Sequence, residues 1–289
     1  MRFAWIRDKL VPEFAVRDCC RVLGVSASGY YRWLGAPVSA RALRRRELLE
    51  EIRAEHVRSR CNYGSPTIQE RLAKRGLRVN VKTVAQIMRA AGIRSKTARK
   101  FRPSTTQSMH GHEPAPNVLA RDFSATGPDQ KWLSDITYIR TGEGFLYLTC
   151  VMDAWSRRIV GWSMSDTLHS TTATDAIGMA FARRRPGAGL VFHSDRGVQF
   201  ACHACRDLLK SRGVVQSMSR AGDCYDNAMM ESLWATLKKE LTQHETYATR
   251  AQARGAVFEW IEVWYQRERS HSSLGYLSPE AFEAARRAG

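Results

Sequence analysis

The chain reads as an α/β protein: a mixed five-stranded sheet flanked by helices, preceded by an all-α region. The period of the apolar residues carries the first part of that expectation. Up to about residue 100 they recur at helical spacing; beyond about 130 they fall in runs rich in aromatic and β-branched residues, the composition of strands. Between the two patterns, "PSTTQSMHGHEPAPNVLA" (103–120) holds three prolines, a glycine and no periodicity, and reads as a linker. The order of the later segments, βββαβαβα, is that of one mixed sheet with helices against it. The expected divisions are 1–43 and 44–102 (two helical units), 103–120 (linker), 121–242 (core) and 243–289 (helical tail).

Residues 12–34, "PEFAVRDCCRVLGVSASGYYRWL", read as helix, tight turn, helix. Cys19, Cys20 and Leu23 face inward, Gly24 and Val25 turn, Ser26 or Ser28 caps the second helix, and Tyr30 and Trp33 return to the core. A charged helix from Arg44 to about Arg58 precedes the second unit. There Ile68 and Leu72 mark one helix, Gly76 ends it, and Asn80 caps the next, whose buried face is Val84, Ile87 and Met88. Both units have helix-turn-helix grammar.

Net charge is +17, and its distribution is informative. Residues 1–102 carry 24 lysines and arginines against 8 acids, and the remainder 21 against 20. A folded basic block is the electrostatic footprint of a nucleic-acid binder, because each neutralised phosphate releases counterions. In a DNA-bound reading Lys82, Thr83 and Gln86 enter the major groove, with Arg94, Lys96, Arg99 and Lys100 close behind. No apolar run approaches the ~18 residues of a membrane span, and the N-terminus has no signal-peptide core. Seven irregularly spaced cysteines fit free thiols in a cytoplasmic chain, and "CHAC" (Cys202, Cys205) reads as a helix face rather than a metal site.

The strands expected next are "KWLSDITYIRT" and the two arms of "FLYLTCVMDAWSRRIVGWSM", joined by turns at 142–144 and 153–157. A helix (about 171–184), the strand "GLVFHSD", a helix (about 199–211) and the strand "GVVQSMS" follow. "DNAMMESLWATLKKEL" (226–241) then places Met230, Leu233, Trp234, Leu237 and Leu241 on one helical stripe, with Asp226 or Asn227 as the cap. Glu231 falls beside that stripe, on a flank shared with Asn227, Ala235 and Lys238. Helices at about 248–266 and 279–287 close the chain.

Two acids stand where strands disfavour them: Asp135 inside "WLSDITYI", and Asp195 directly after "LVFHS". An acid bordered by apolar strand residues is costly unless paired, hydrogen-bonded or bound to a cation. Asp153 and Asp175 read as turn and helix-surface acids, and Trp132 and Trp155 as core. Three carboxylates converging, two from adjacent strands and one from a helix, would make a hard-oxygen site suited to Mg²⁺ or Mn²⁺. Two such ions can polarise the attacking and leaving oxygens of a phosphodiester displacement.

The run from Trp132 to Leu241 resembles the integrase-type catalytic core of the ribonuclease-H-like superfamily, and is especially similar to insertion-sequence transposases of the IS3 type. "DQKWLSDITYI", "FLYLTCVMDAWSRRIVGW", "VFHSDRGVQF", "SRAGDCYDNAMMESLWATLKKE" and "RSHSSLGYLSPEAF" carry the resemblance, and "NYGSPTIQERL" fits the family's second helix-turn-helix. Family members have 35 residues between the second Asp and the Glu of a DDE triad; here residues 196–230 separate Asp195 from Glu231. They also tend to carry Lys or Arg seven residues after the Glu, here Lys238, while Gln266 stands where Asn is frequent.

The resemblance implies a DNA transposase that cleaves at insertion-sequence ends and joins the freed 3′-OH to target DNA. Asp135, Asp195 and Glu231 would be its metal ligands, for Mg²⁺ (with Mn²⁺ able to substitute) and a pair of ions. Lys238 would contact DNA phosphate, with His193 and Asn227 flanking the site in structural roles. It further implies double-stranded DNA as partner, a homo-oligomer on paired ends, an upstream-frame protein or frameshift fusion, and a bacterial, nucleoid-associated location. The rival readings are a structure-selective nuclease of the same fold and a non-catalytic DNA-binding regulator descended from a transposase.

Overall fold

The computed structural model describes residues 2–11, 13–97, 113–220 and 224–287; Arg99 and Lys100 lie outside them. The chain forms two compact units, Met1–Ala54 and Glu55–Gly289.

In the first unit, α1 (Arg2–Trp5) runs into a wide π-type turn at Ile6–Leu10, followed by α2 (Val16–Val22) and α3 (Ala27–Leu34). Gly24 takes φ 60°, the left-handed conformation the tight turn needs. Of the two candidate caps it is Ser26 whose hydroxyl accepts from the Gly29 N–H, at 3.0 Å. Ile6, Cys19, Cys20 and Tyr30 form the core. Trp33, expected inside, is 36% exposed, flanked by Phe3 and by the Arg7 guanidinium. The unforeseen N-terminal helix is the reason, because its Ile6 fills the interior and leaves the indole at the rim.

Helix α4 (Ala40–Arg58) leads into the second unit, where α5 (Ser65–Lys74) and α6 (Val81–Ala90) pack through Ile68, Leu72, Val84, Ile87 and Met88. Gly76 takes φ 83° between them, and the Asn80 side chain accepts from the Lys82 N–H at 2.8 Å. These helices are tied to the rest of their unit. The Tyr63 ring lies 5.8 Å from that of Trp264, Arg60 pairs with Glu259, and Lys74 Nζ donates to the Tyr276 carbonyl at 2.6 Å.

The sheet has the order β3-β2-β1-β4-β5. Strands β1 (Lys131–Thr141), β2 (Gly144–Asp153) and β3 (Ile159–Ser165) are antiparallel neighbours. Parallel β4 (Val191–Ser194) and β5 (Val215–Met218) extend the sheet on the other side of β1. Helix α7 (Ser170–Arg183) covers one face with Ala173, Ala176, Ile177 and Ala180 over Trp132, Val160 and Phe192. Gly161 permits that approach, since a Cβ there would sit 2.1 Å from the Ala176 carbonyl oxygen. The helix expected at 199–211 is broken: α8 (Val198–Ala201) and α9 (His203–Ser211) are separated by Cys202 in an extended conformation.

Helix α10 (Ala228–Leu237) follows a 3₁₀ turn and continues as a π-type turn at Lys238–Thr242. Its stripe of Met230, Leu233, Trp234 and Leu237 is buried. α11 (Arg250–Glu259) widens at Trp260–Glu268 and is followed by α12 (Pro279–Arg287). Gln266 pins this segment to β3, accepting from the Ile159 N–H at 3.1 Å and donating to its carbonyl at 2.7 Å.

Candidate active site

Asp135 lies on the central strand, two positions beyond the pairing of Leu133 with His193, and Asp195 follows His193 by the same two positions. The parallel register therefore sets both carboxylates at the same level, Asp135 midway along β1 and Asp195 just past the carboxyl end of β4, the end at which open sheets place their ligands. Asp195 sits in the turn after β4, and its Oδ1 accepts from the Gly197 N–H at 2.9 Å. A side chain at Gly197 would crowd that oxygen at 3.0 Å.

Burial pushes the Asp135 carboxyl up to about 7, the Asp195 charge adds to the rise, and Glu231 contributes less. Two hydrogen bonds oppose it: the Ile136 N–H donates to Oδ1 at 2.8 Å and the Trp234 indole to Oδ2 at 2.9 Å. A desolvated acid raised further by a neighbouring carboxylate is the arrangement a divalent cation relieves, so Asp135 and Asp195 fit a hard metal ion.

Glu231 is exposed on the first turn of α10, with its carboxyl raised by the partial loss of water around it. Among the described residues, no three His, Cys, Asp or Glu side chains stand close enough to share a metal ion. Both other acids act on Asp135 through their charge, Asp195 more strongly than Glu231. Lys238 has its ammonium 6.0 Å from the Tyr138 ring; burial lowers its pKa and the Asp135 charge raises it.

The start of α10 is held differently from expectation. Neither Asp226 nor Asn227 caps it through its side chain. Asp226 is fully buried and accepts from Arg220 Nε at 3.0 Å and Nη2 at 2.9 Å, from Arg121 Nε at 3.0 Å and from Asn117 Nδ2 at 2.9 Å. Those bonds, Arg220 foremost, hold its carboxyl well below the usual range. With that carboxylate committed to cations it cannot turn back onto the helix. Asn227 Nδ2 instead donates to the Ser134 carbonyl at 3.2 Å, fastening α10 to the strand one residue before Asp135.

His193 bridges β4 to β5, with Nδ1 2.9 Å from Ser217 Oγ and Nε2 3.2 Å from Ser219 Oγ; burial lowers its pKa to about 4. Trp132 is buried, and Trp155 is half-buried with its ring 5.0 Å from Phe282. Cys205 is buried on α9 and its thiol is pushed up to about 12, whereas Cys202 donates to the Gln199 carbonyl at 3.4 Å.

Lys82 and Gln86 are exposed on α6, with Thr83 partly so, and Arg94 is exposed after it. Lys96 spends its ammonium on the Glu240 carbonyl at 3.0 Å. The bond from Trp234 to Asp135 was not foreseen, because a tryptophan on an apolar stripe reads as core. Its only signal was an indole donor three residues from an acid of the same run.

The mixed sheet with two carboxylates level on adjacent strands and an attached helix-turn-helix defines an integrase-core protein. A family profile described as "Integrase core domain" matches residues 125–224, another of that description residues 212–279, and one described as "HTH-like domain" residues 43–101. Over 98% of both chains the sequence is 42% identical to "Transposase InsF for insertion sequence IS3A" of Escherichia coli (strain K12). It is 41% identical to "Insertion element IS600 uncharacterized 31 kDa protein" of Shigella sonnei, over 91% of this chain and 96% of that one. Among solved structures, the catalytic core domain of BIV integrase aligns with a TM-score of 0.42 and 16% identity, covering 55% of this chain and 97% of that one. The chain belongs to the family of IS3-type insertion-sequence transposases. Among the described residues no helix is long and apolar enough to cross a membrane.

Proposed function

We propose that Asp135, Asp195 and Glu231 act as a DDE triad for cleavage at insertion-sequence ends and transfer of the freed 3′-OH to target DNA. One observation carries the reading: two carboxylates stand level on adjacent parallel strands, and the indole touching one of them comes from the helix that bears Glu231. Asp135 and Asp195 would hold Mg²⁺, or Mn²⁺ in its place, with Glu231 completing the set for a pair of ions. Bound there, divalent ions supply positive charge against the charge that develops on the phosphate oxygens during in-line displacement.

The chain's own groups do the rest. Trp234 and the Ile136 N–H fix the rotamer of Asp135, and Gly197 fixes that of Asp195. Glu231, on the first turn of the helix that carries Trp234, would complete the ligand set. Lys238, on the same flank, holds a phosphate of the strand being processed. Lys82, Thr83 and Gln86 address the major groove of the terminal repeat; Arg94, Arg99 and Lys100 contribute to phosphate binding, while Lys96, expected among them, is held by the Glu240 carbonyl. The working form is a homo-oligomer on paired ends, with an upstream-frame protein or as a frameshift fusion.

The test is to incubate the purified chain with end-containing duplex DNA and Mg²⁺. Asp135→Asn, Asp195→Asn and Glu231→Gln should each abolish cleavage and strand transfer while end binding persists. Full strand transfer by any of the three would remove that residue from the triad.

A further inference from the structure

Helix α10 presents a second flank. Glu231, Ala235 and Lys238 form one row; Ser232, Thr236 and Lys239, each one residue later, form the row beside it. That second row walls a pocket of about 440 Å³, lined on its other sides by Asn62–Gly64 and Thr67, Arg157 and the segment Arg269–Ser273. The size falls within the roughly 300–1,000 Å³ of sites that take ligands as large as a nucleotide.

The lining is unfinished as a protein interior. Asn62 is 5% exposed, yet neither its Nδ2 nor its Oδ1 has a partner among the described residues, and the buried Ser270 Oγ is in the same state. Buried polar groups without partners are costly and uncommon in native proteins. Arg157 is partly buried, and no described carboxylate acts on its charge. It is also held at φ 61°, a conformation that side-chain-bearing residues adopt sparingly. Arg269, by contrast, is matched by Glu240 at 2.8 Å, so among the described residues Arg157 and Lys239 are the cations that line the pocket without a carboxylate partner.

The first turn of α5 adds backbone donors. Gly64 gives it no side-chain cap and Pro66 has no N–H, which leaves Ser65 and Thr67. Cations and helix N–H groups suit a phosphate, which only accepts. The orphaned amide offers a donor and an acceptor side by side, and that pattern pairs with a base edge rather than with phosphate.

We infer that this pocket is a second DNA subsite, seating one unpaired nucleotide of single-stranded DNA. Its phosphate lies against Arg157, Lys239 and the start of α5, and its base edge against Asn62 and Ser270. Sharing α10 with the candidate triad, the subsite would hold a nucleotide displaced from the duplex near the processed end. It rests on the reading that the chain acts on DNA.

The test titrates the full chain, by fluorescence anisotropy, against a short labelled single-stranded oligonucleotide and against duplex DNA. Arg157→Gln and Asn62→Leu should each weaken single-strand binding about tenfold, the loss of one charge-assisted or paired contact, with duplex binding unchanged. Asn62→Leu should melt at the same temperature or higher without DNA, since an orphaned amide is no longer buried. In the unaltered chain, an iodouracil-substituted single strand should photocrosslink to Tyr63 or His271. Unchanged single-strand affinity in both variants, or crosslinks confined to other segments, would overturn the subsite. So would stabilisation by inorganic phosphate alone equal to that by the oligonucleotide, because the base would then contribute nothing. Mg²⁺-dependent cleavage by the unaltered chain is measured alongside, so failure of the pocket and failure of the DDE reading register separately.

Discussion

Trp234 joins two things that sequence patterns treat separately, a core stripe and a charged site. Its ring is buried with Leu233 and Leu237, while its N–H reaches Asp135 across 99 positions of sequence. Trp234→Phe keeps the ring and removes the donor. A hydrogen bond to a charged group is worth about 1.5–3 kcal/mol, and part of that loss should fall on the geometry of Asp135. The expected outcome is a several-fold rise in the Mg²⁺ concentration giving half-maximal cleavage, with only a small fall in melting temperature. A variant that melts earlier but keeps its Mg²⁺ dependence would reduce Trp234 to packing.

His193 makes a different residue-scale prediction. In the folded chain it stays neutral down to about pH 4, against 6.5 for an exposed imidazole. Between those values the unfolded chain binds a proton that the folded chain does not, so stability falls as pH drops from about 6.5 towards 4 and is level above. Urea unfolding at pH 7 and pH 4.5 should show that loss, and His193→Gln should lack this part of it. An equal acid loss in the variant would assign the effect to other groups.

At the scale of elements, the α7 contact with the sheet depends on one missing side chain. A Cβ on Gly161 would meet the Ala176 carbonyl oxygen at 2.1 Å and the Ala180 N at 2.7 Å, both backbone atoms that cannot swing aside. Overpacking a close-packed interior costs about 1–3 kcal/mol and more when backbone must shift, so Gly161→Ala should lose at least about 3 kcal/mol. Urea unfolding would show it, and a change within about 0.5 kcal/mol, ordinary for a neutral surface site, would mean the helix simply slides. The order of strands and helices was legible beforehand, because each segment keeps one apolar period over most of its length. The break at Cys202 and the π-type turns at Ile6–Leu10 and Trp260–Glu268 were not, since a few residues of altered pitch barely disturb that period. Asp226 shows the other limit. Its local sequence favours a cap, whereas its partners Arg121 and Asn117 lie 105 and 109 residues away, and no local pattern reports them. Asp135 and Asp195 stand out in the sequence because acids in strands need a reason; how near Glu231 comes to them does not, because helical phase fixes direction and says nothing of reach.

On the scale of the whole molecule, the basic charge and the compact units do not divide at the same point. Residues 55–102 carry 13 lysines and arginines against 2 acids, whereas residues 1–54 carry 11 against 6. Most of the excess positive charge therefore belongs to the unit Glu55–Gly289, together with the candidate active site. Within that unit the basic helices are fastened by Tyr63 against Trp264, Arg60 to Glu259, and Lys74 and Lys96 to backbone carbonyls. Cutting the chain near residue 100, which charge alone suggests as the way to separate DNA binding from chemistry, would strip cover from Trp264 and leave Glu259 unpaired. A chain of residues 55–289 should instead fold with a sharp melting transition. It should bind end-containing duplex with a salt dependence close to that of the full protein, because the slope of log K against log salt counts the phosphates neutralised. A chain of residues 103–289 should melt broadly or aggregate. If residues 55–289 lost most of the slope, the phosphate contacts would lie in the first 54 residues despite their smaller charge, and the major-groove role proposed for Lys82, Thr83 and Gln86 would fail with it.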